Sequence, residues 1–312
     1  MIIVKYRKFF YALSGILVVL SFIALSTWGL KWGIDFKGGS VLEVEYTDAR
    51  PEVDGIRASL SKVDAFESIR PVGDKGYIVS AKDLNDTQKS DMMKVLSSDG
   101  KDKVIEKQFS SIGPVLGNEA KRKAETSIIL VIIAIVLFIT YAFRQVSRPI
   151  SSWKYGIVAV VALIHDVIIP TGFFALMGHL AGFEVDTLFV TALLVVLGFS
   201  VHDTIVVFDR VRENLRRNGE SKEKKSFETI VGDGINQTFV RSVNTSLTTL
   251  LALVALYIWG PEATKHFSLA LLVGITAGTY SSVFLGSPLL VTLEKWQNSN
   301  NTARFAVHQK KR

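Results

Sequence analysis

The chain has 312 residues, of which 48% are hydrophobic and 21% are charged, and it carries a formal net charge of +7. Because it contains no cysteine, disulfides, thiolate metal ligands and thiol catalysis are excluded. The positive charge is concentrated beside long apolar segments, which indicates membrane topology, and we expect no nucleic-acid partner.

Six apolar segments are long enough to cross a bilayer, which takes about 20 residues. They are residues 9–30, 126–143, 155–176, 187–208, 242–260 and 267–293. The first apolar run is longer than the core of a signal peptide, so we interpret it as a retained transmembrane helix. The sequence therefore predicts an α-helical polytopic membrane protein with six transmembrane helices.

Lysine and arginine residues are distributed unequally between the loops. They occur before the first segment, in the 144–154 and 209–241 loops and in the C-terminal tail, whereas the two short loops on the other side contain only Lys265. The positive-inside rule then places both termini in the cytoplasm. We therefore divide the chain into a cytoplasmic N-terminus with the first helix (1–30), a periplasmic domain (31–125), helices two to six (126–293) and a cytoplasmic tail (294–312).

Residues 31–125 show strand and helix patterns in the order β-α-β-β-α-β. Strands are predicted at 40–46, 67–72, 77–81 and 103–110, and helices at 51–63 and 86–96. This order is that of the small α+β, ferredoxin-like fold. The domain has no cluster of metal-ligating residues, no phosphate-binding loop and no nucleophile beside a base. We therefore expect no metal, no cofactor and no enzymatic activity.

Two glycine-containing motifs flank this domain. The first is Gly33-Ile-Asp-Phe-Lys-Gly-Gly39, in which Gly33, Asp35, Gly38 and Gly39 stand out, and the second covers residues 112–119. Glycine allows tight turns and close backbone packing. The motifs could pack the domain closely against the membrane helices, or they could simply form hinges and turns, and the sequence leaves both readings open.

Asp203 is a costly residue for an apolar segment, because a carboxylate in lipid costs about 2.5–3.5 kcal/mol on insertion scales. Ser200, Asp203 and Thr204 share one helix face through their i, i+3, i+4 spacing. Arg241 directly precedes the fifth segment, at a similar depth, and could pair with Asp203. Approach and separation of these two groups could switch the protonation of the carboxyl, so we consider both candidates for a proton relay.

Asp166 lies near the expected midplane in the third segment and is a further proton-relay candidate. Weaker candidates for a polar lining are Ser200, Thr204, His202 and Thr245. These hydroxyl-bearing residues could equally be structural contacts between helices. His165 and His202 each precede an aspartate, but neighbouring helix residues point in different directions, so we expect no His–Asp pair from adjacency alone.

Residues 198–214, with the pattern Gly-Phe-Ser-x-x-Asp-Thr-x-Val-x-Phe-Asp-Arg-x-Arg-Glu-Asn, resemble the fourth-helix signature of the SecF branch of the SecD/SecF family of protein-export membrane proteins. Residues 32–39, the Gly-Pro-Val-x-Gly stretch at 113–117 and Arg-x-x-x-Thr-Ser at 241–246 match in the same order. The resemblance covers about residues 6–296. The chain departs from the common pattern at Phe199, where the family often has Tyr, and at His202, where it often has Asn.

This resemblance implies half of a transporter of the resistance-nodulation-division superfamily, located in the bacterial inner membrane. It implies SecD as the partner, association with the SecYEG channel and YajC, and an indirect relation to SecA. The pair would use the proton motive force to draw a preprotein outward, with the residues at Asp203 and Arg241 in the proton path. Membrane lipid would be its surroundings.

Other functions stay open at this point. The chain could be half of a proton-coupled small-molecule exporter of the same superfamily, which would require a homodimer. It could be a membrane scaffold that conducts nothing, although that leaves the cost of Asp203 unexplained. An intramembrane aspartyl protease would need Asp166 and Asp203 close enough to share a proton.

Overall fold

The computed structural model describes residues 2–98, 100–144 and 152–297, and it combines long helices with one small antiparallel sheet. In chain order the elements are α1 (Ile2–Lys5), α2 (Arg7–Thr27), α3 (Ile34–Lys37), β1 (Gly39–Tyr46), α4 (Val53–Leu60), β2 (Phe66–Val72), β3 (Gly76–Ala81), α5 (Asp86–Leu96), β4 (Val104–Ile112), α6 (Pro114–Ala142), α7 (Ser152–Ala181), α8 (Thr187–Glu220), α9 (Phe227–Trp259) and α10 (Glu262–Tyr280). After α10 the chain continues through a π-helical segment, Ser281–Gly286, into a final helical stretch at 287–297.

Within the described ranges, six helices are long and apolar enough to cross a membrane, namely α2, α6, α7, α8, α9 and the helix from Glu262 to Gln297. This confirms the predicted multi-pass membrane protein. Several helices extend beyond the apolar windows: α6 begins at Pro114 and α9 at Phe227. An apolar window detects only the part of a helix that is suited to lipid. The helix itself continues into polar residues as far as its capping residue, which is Ser226 at the start of α9. Residues 298–312 of the predicted tail lie outside the described residues.

The sheet domain has the strand order β2-β3-β1-β4, with every neighbouring pair antiparallel. Leu42, Val44 and Tyr46 on alternate positions of β1 are buried, and the residues between them are partly exposed. The buried face packs with Leu60 of α4 and Met92 of α5 in a single core. Strand order and helix placement confirm the predicted ferredoxin-like fold.

The centre of the membrane part is formed by α7, α8 and α10. Gly274 and Gly278, one helical turn apart on α10, face α8: a Cβ on Gly274 would lie 2.3 Å from Val196 Cγ2, and one on Gly278 would lie 3.0 Å from Ser200 Cβ. Such small residues let two helices approach closely inside a membrane. The close approach brings the end of α10 and the π-helical segment next to α8.

Candidate functional site

A buried carboxylate at the middle of α7 is the centre of the best-organised polar site. Asp166 has no exposed surface. Its Oδ2 is hydrogen-bonded by Ser281 Oγ at 2.8 Å and by Ser200 Oγ, and its Oδ1 is 2.8 Å from His165 Nδ1. Groups from α7, α8 and the π-helical segment therefore occupy both carboxylate oxygens, as a buried charge-bearing group requires.

The π-helical segment supplies two adjacent serines to two different neighbours. Ser281 reaches Asp166, while Ser282 Oγ lies 2.9 Å from Thr204 Oγ1 on α8 and also donates to the Gly278 carbonyl. Short π-helical stretches interrupt regular helices, often at functional positions. The sequence reasoning missed both serines, although a pair of hydroxyl residues inside an uncharged apolar run was a signal that could have identified them.

His165 contradicts the expectation that it would not pair with its neighbour, since its Nδ1 lies 2.8 Å from Asp166 Oδ1. The two Cβ directions do diverge along the helix, but the side chains are long enough to turn toward each other. The imidazole also stacks on Tyr280, with ring centroids 6.1 Å apart. Its Nε2 is buried and has no hydrogen-bond partner among the residues that the structure describes.

Asp203, one turn beyond Ser200 on α8, differs from Asp166 in its hydrogen bonding. Its side chain is buried, yet its Oδ2 has no hydrogen-bond partner within the described ranges. Ser242 Oγ of α9 lies beside it but likewise lacks a hydrogen bond of acceptable geometry. Arg241 is among the charges that act on Asp203, but its side chain is exposed and no ion pair joins the two described residues. The expected Asp203–Arg241 pair is therefore not formed within this chain.

The weaker candidates divide into two groups. Ser200 and Thr204 are buried and hydrogen-bonded at the centre of the bundle. His202 and Thr245 are exposed on its outer surface instead. Together with Arg241 they belong to an outer polar strip on α8 and α9, whose exposed members are His202, Arg241, Asn244, Thr245 and Thr248. The four α9 residues follow helical spacing and so share one face.

The first glycine motif packs the sheet domain against the membrane helices. Gly38 has φ +78° and Gly39 has φ +124°, and a Cβ on Gly38 would lie 2.7 Å from Pro114 Cα at the start of α6. The amide of Gly33 donates to the Val185 carbonyl at 2.8 Å. These positive φ angles and close contacts favour the packing interpretation over simple turns.

Asp35 in the same motif caps the helix that carries Ser200 and Asp203. Its Oδ2 accepts hydrogen bonds from Thr187 N at 2.9 Å and Thr187 Oγ1 at 2.5 Å, at the first residue of α8. Asp186 accepts from Phe189 N at 2.8 Å at the same terminus. Two carboxylates therefore lie where the helix dipole favours negative charge, and one of them comes from the segment that leads into the sheet domain.

Chemically, the Asp166 network can hold and pass a proton, because a carboxyl, an imidazole and two hydroxyls are joined in one hydrogen-bonded chain. Across residues 2–98, 100–144 and 152–297, no group of three His, Cys, Asp or Glu residues could hold a metal ion. The fold and the site together define a multi-pass membrane protein that buries a polar network in its helices and holds a small sheet domain at one end.

Comparison with known proteins gives the family. The family model for the C-terminal part of the protein export membrane proteins SecD/SecF matches residues 92–296, and the model for the SecD/SecF GG motif matches residues 23–49. The chain belongs to the SecD/SecF family of protein-export membrane proteins, as the sequence motifs predicted. The GG model contains Gly33, Asp35, Gly38 and Gly39, the residues that join the sheet domain to the bundle.

Individual relatives agree with this assignment. The chain is 41% identical to the protein translocase subunit SecF of Thermobaculum terrenum, over 96% of this chain and 94% of the relative. It is 36% identical to the SecF of Anaerolinea thermophila, over 94% of each chain. A crystal structure of SecDF, a translocon-associated membrane protein from Thermus thermophilus, matches with a TM-score of 0.80 at 30% identity. The match covers 95% of this chain but 38% of the SecDF chain, so this protein corresponds to less than half of that polypeptide.

Proposed function

We propose that this chain pairs with SecD in the bacterial inner membrane and that the pair uses the proton motive force in the late steps of preprotein translocation. SecYEG and YajC would be its associates, and SecA would act before it. Both termini would lie in the cytoplasm, with residues 31–125 in the periplasm. No covalent catalysis is part of this proposal.

The Asp166 network is the observation that carries the proposal. A carboxylate at the middle of a membrane-spanning helix is costly, and this one keeps hydrogen-bond partners on α8 and in the π-helical segment. Loss or gain of a proton at Asp166 would change what Ser200 and Ser281 bind. Protonation would thereby favour a different packing of α7, α8 and α10.

Pairing with SecD is supported by the outer polar strip and by Asp203. Charged and amide side chains that face lipid are unfavourable, so Arg241 and Asn244 need a partner surface. Asp203 lies next to that strip with an unpartnered oxygen. A second membrane subunit on this face would supply hydrogen bonds that this chain lacks.

The proposal is tested with Asp166→Asn and Asp203→Asn in membrane vesicles that contain SecD. Each amide keeps the side-chain size but cannot take up and release a proton at neutral pH, so we expect stimulation of preprotein export by the proton gradient to be lost. Asp209→Asn is the matched control, because Asp209 is exposed and pairs with Arg212 at the end of the membrane region. Normal stimulation in both test variants would contradict the proton role.

The alternative functions have less support. A homodimeric exporter would purify without SecD, so stable copurification with SecD rules it out. A protease would need its two aspartates to share a proton, but Asp166 is bonded to His165, Ser200 and Ser281, and no hydrogen bond joins it to Asp203. Coupling to sodium rather than protons would appear as export that depends on sodium at a fixed proton gradient.

A further inference from the structure

A cavity of about 420 Å³ lies between the sheet domain and the ends of the membrane helices. One wall is the face of the sheet that α4 and α5 leave free, and the opposite wall is formed by the loop between α7 and α8 and by the start of α10. Five lining residues carry ionisable side chains, namely Glu43 of β1, Arg70 of β2, Asp186 before α8, and Glu262 and His266 of α10. This charged cluster is separate from the Asp166 network and lies where the two parts of the molecule meet.

The sheet is fixed to the bundle near β1 and β4. The chain enters the sheet at Gly39 and leaves it at Ile112, which are paired residues, and Gly38 packs against Pro114 at the start of α6. The strand β2 lies at the opposite edge of the sheet. In the described part of the chain, no hydrogen bond or ion pair joins β2 to α7, α8 or α10. The geometry therefore allows the sheet to tilt about its fixed side and to widen the cavity at β2.

The cavity walls carry more negative than positive charge. Glu43 belongs to the sheet wall, and Asp186 and Glu262 belong to the bundle wall. Glu262 is paired with Lys265 at 2.6 Å, whereas Arg70, the one arginine on the walls, has no ion pair with a described residue. Ionised Glu43 and Asp186 therefore place like charges on opposite walls, which opposes close contact of the walls. Protonation of either carboxylate removes that repulsion.

Asp186 is the carboxylate in this cavity that is best placed to respond to pH. Burial raises its pKa above the ordinary value of 3.8; the amide of Phe189, which donates to Asp186 at 2.8 Å, lowers the pKa by less, and nearby Asp35 raises it. The closed structure therefore holds the proton on Asp186 more tightly than an open structure in which this carboxyl is in water. By linkage, the closed structure is favoured at low pH, and this advantage is lost as the pH rises through the raised pKa.

His266 is the other cavity residue that can gain a charge on acidification. Its ring stacks on Phe183, with centroids 4.1 Å apart, and Arg70 and Glu262 act on it with opposite signs. A proton on His266 would add a positive charge near Arg70 and so would oppose closure. Asp186 and His266 therefore predict opposite responses of the cavity to a fall in pH, which an experiment can separate.

We propose that the sheet domain closes on the ends of the membrane helices when the solution on its side of the membrane is acidic, and that it tilts open at β2 when the pH rises. Asp186 is the group that takes up and releases the proton. Because Asp186 also caps α8, which carries Ser200 and Asp203, the tilt is linked to the start of a central membrane helix. The inference depends only on the junction between the two parts of the chain and not on the proposed role in export.

The experiment uses the full chain in lipid nanodiscs, with spin labels on Ser68→Cys and Trp259→Cys. The chain has no cysteine of its own, and both positions are exposed, Ser68 on β2 and Trp259 at the end of α9 shortly before Glu262. Pulsed electron double resonance gives the distribution of label distances at pH 4.5 and pH 8. We expect one short distance at pH 4.5 and an additional longer distance at pH 8. If the pKa of Asp186 differs by one pH unit between the two forms, the ratio of open to closed chains changes by about tenfold.

Two variants complete the test. Asp186→Asn should keep the short distance at both pH values, because asparagine caps a helix as well as aspartate does but does not ionise. Asp91→Asn is the matched control, since Asp91 lies on α5 behind the other face of the sheet, and it should keep the full pH response.

Three results would overturn the inference. The first is an identical distance distribution at both pH values in the labelled chain, a comparison that needs no substitution in the cavity. The second is opening on acidification, which would assign the response to His266. The third is a pH response that survives Asp186→Asn.

Discussion

Asp166 and Asp203 lie on neighbouring helices, and both are buried, at 0% and 5% exposure, yet their surroundings differ. Asp166 is bonded through both oxygens to groups of this chain, whereas Asp203 Oδ2 and the adjacent Ser242 Oγ have no partner in the described part of the chain. Burial of a carboxylate therefore does not by itself mean that its oxygens have hydrogen-bond partners within the chain. We infer that the chain completes one polar site by itself and leaves the other for a second subunit.

The difference follows from where each carboxylate lies. Asp166 is at the contact of α7, α8 and α10, where Gly274 and Gly278 let the helices approach closely. Asp203 faces α9, which exposes most of its membrane-spanning surface. A carboxylate near such an outer face can obtain hydrogen bonds from a partner that packs there.

The first prediction concerns the close contact that assembles the Asp166 site. Gly274→Ala adds a Cβ that would lie 2.3 Å from Val196 Cγ2, so either the Val196 side chain or α10 itself must shift. We expect a loss of about 2–3 kcal/mol in the free energy of unfolding, measured by detergent titration of the full chain. Gly198→Ala is the matched control, because no atom lies within 4 Å of its added Cβ. Equal effects of the two substitutions would show that α10 and α8 do not pack closely at Gly274.

The second prediction concerns the hydrogen bonds to Asp166. Ser281→Ala removes a donor to a buried carboxylate and should lower the free energy of unfolding by about 1–2 kcal/mol in the same titration. Ser268→Ala removes an equally buried hydroxyl that donates only to the Lys265 carbonyl of its own helix. We expect that control to cost less than half as much. A larger loss in the control would contradict the assignment of Ser281 to the site.

The third prediction extends the comparison to a satisfied group outside the membrane, Tyr46 in the sheet domain. Its hydroxyl donates to the Leu96 carbonyl at 2.8 Å, so Tyr46→Phe should cost about 1 kcal/mol at pH 8. Burial raises the pKa of Tyr46 above its ordinary value of 10.0, with smaller contributions from Tyr77 and Asp102. The stabilisation from the neutral hydroxyl is therefore complete below pH 10 and declines as the pH rises toward the folded-state pKa.

The measurement is urea unfolding of the domain within the full chain, followed between pH 8 and pH 11. By pH 11 the free energy of unfolding of the unsubstituted chain should have fallen by up to about 1.4 kcal/mol more than that of Tyr46→Phe. Only the unsubstituted chain has a tyrosine at this position that can ionise on unfolding. The difference in free energy of unfolding between the unsubstituted chain and Tyr46→Phe should therefore disappear. A constant gap over this range would show that Tyr46 does not titrate differently in the folded and unfolded states.

The sheet domain and the number of membrane helices could be predicted from the sequence, because both depend on local periodicity. Alternation along β1 and the apolar windows are visible in a single stretch of chain. The Asp166 site was only partly predictable. Asp166, Ser200 and Thr204 were identified as polar residues in apolar segments, but Ser281 and Ser282 reach them only through helix packing and a π-helical segment.

Two side-chain directions could not be predicted at all. Arg241 was expected at the depth of Asp203, but depth does not say which way a side chain points, and this side chain is exposed. His165 was set aside because helix neighbours diverge, yet both side chains bend toward each other. Side-chain rotamers of this kind depend on tertiary surroundings, which a linear pattern does not contain.

Asp203 provides the most direct test of the claim that one site is complete and the other is not. The free energy of unfolding of Asp203→Asn would be measured for the chain alone and for its complex with SecD, with Asp166→Asn treated in the same way. We predict that Asp203→Asn changes the free energy of unfolding of the isolated chain by less than about 0.5 kcal/mol, since Oδ2 has no hydrogen-bond partner among the described residues, and destabilises the complex by about 1–3 kcal/mol. Asp166→Asn should destabilise both. If Asp203→Asn destabilised the isolated chain as much as the complex, the Asp203 site would already be complete in this chain, which contradicts a site that a second subunit completes.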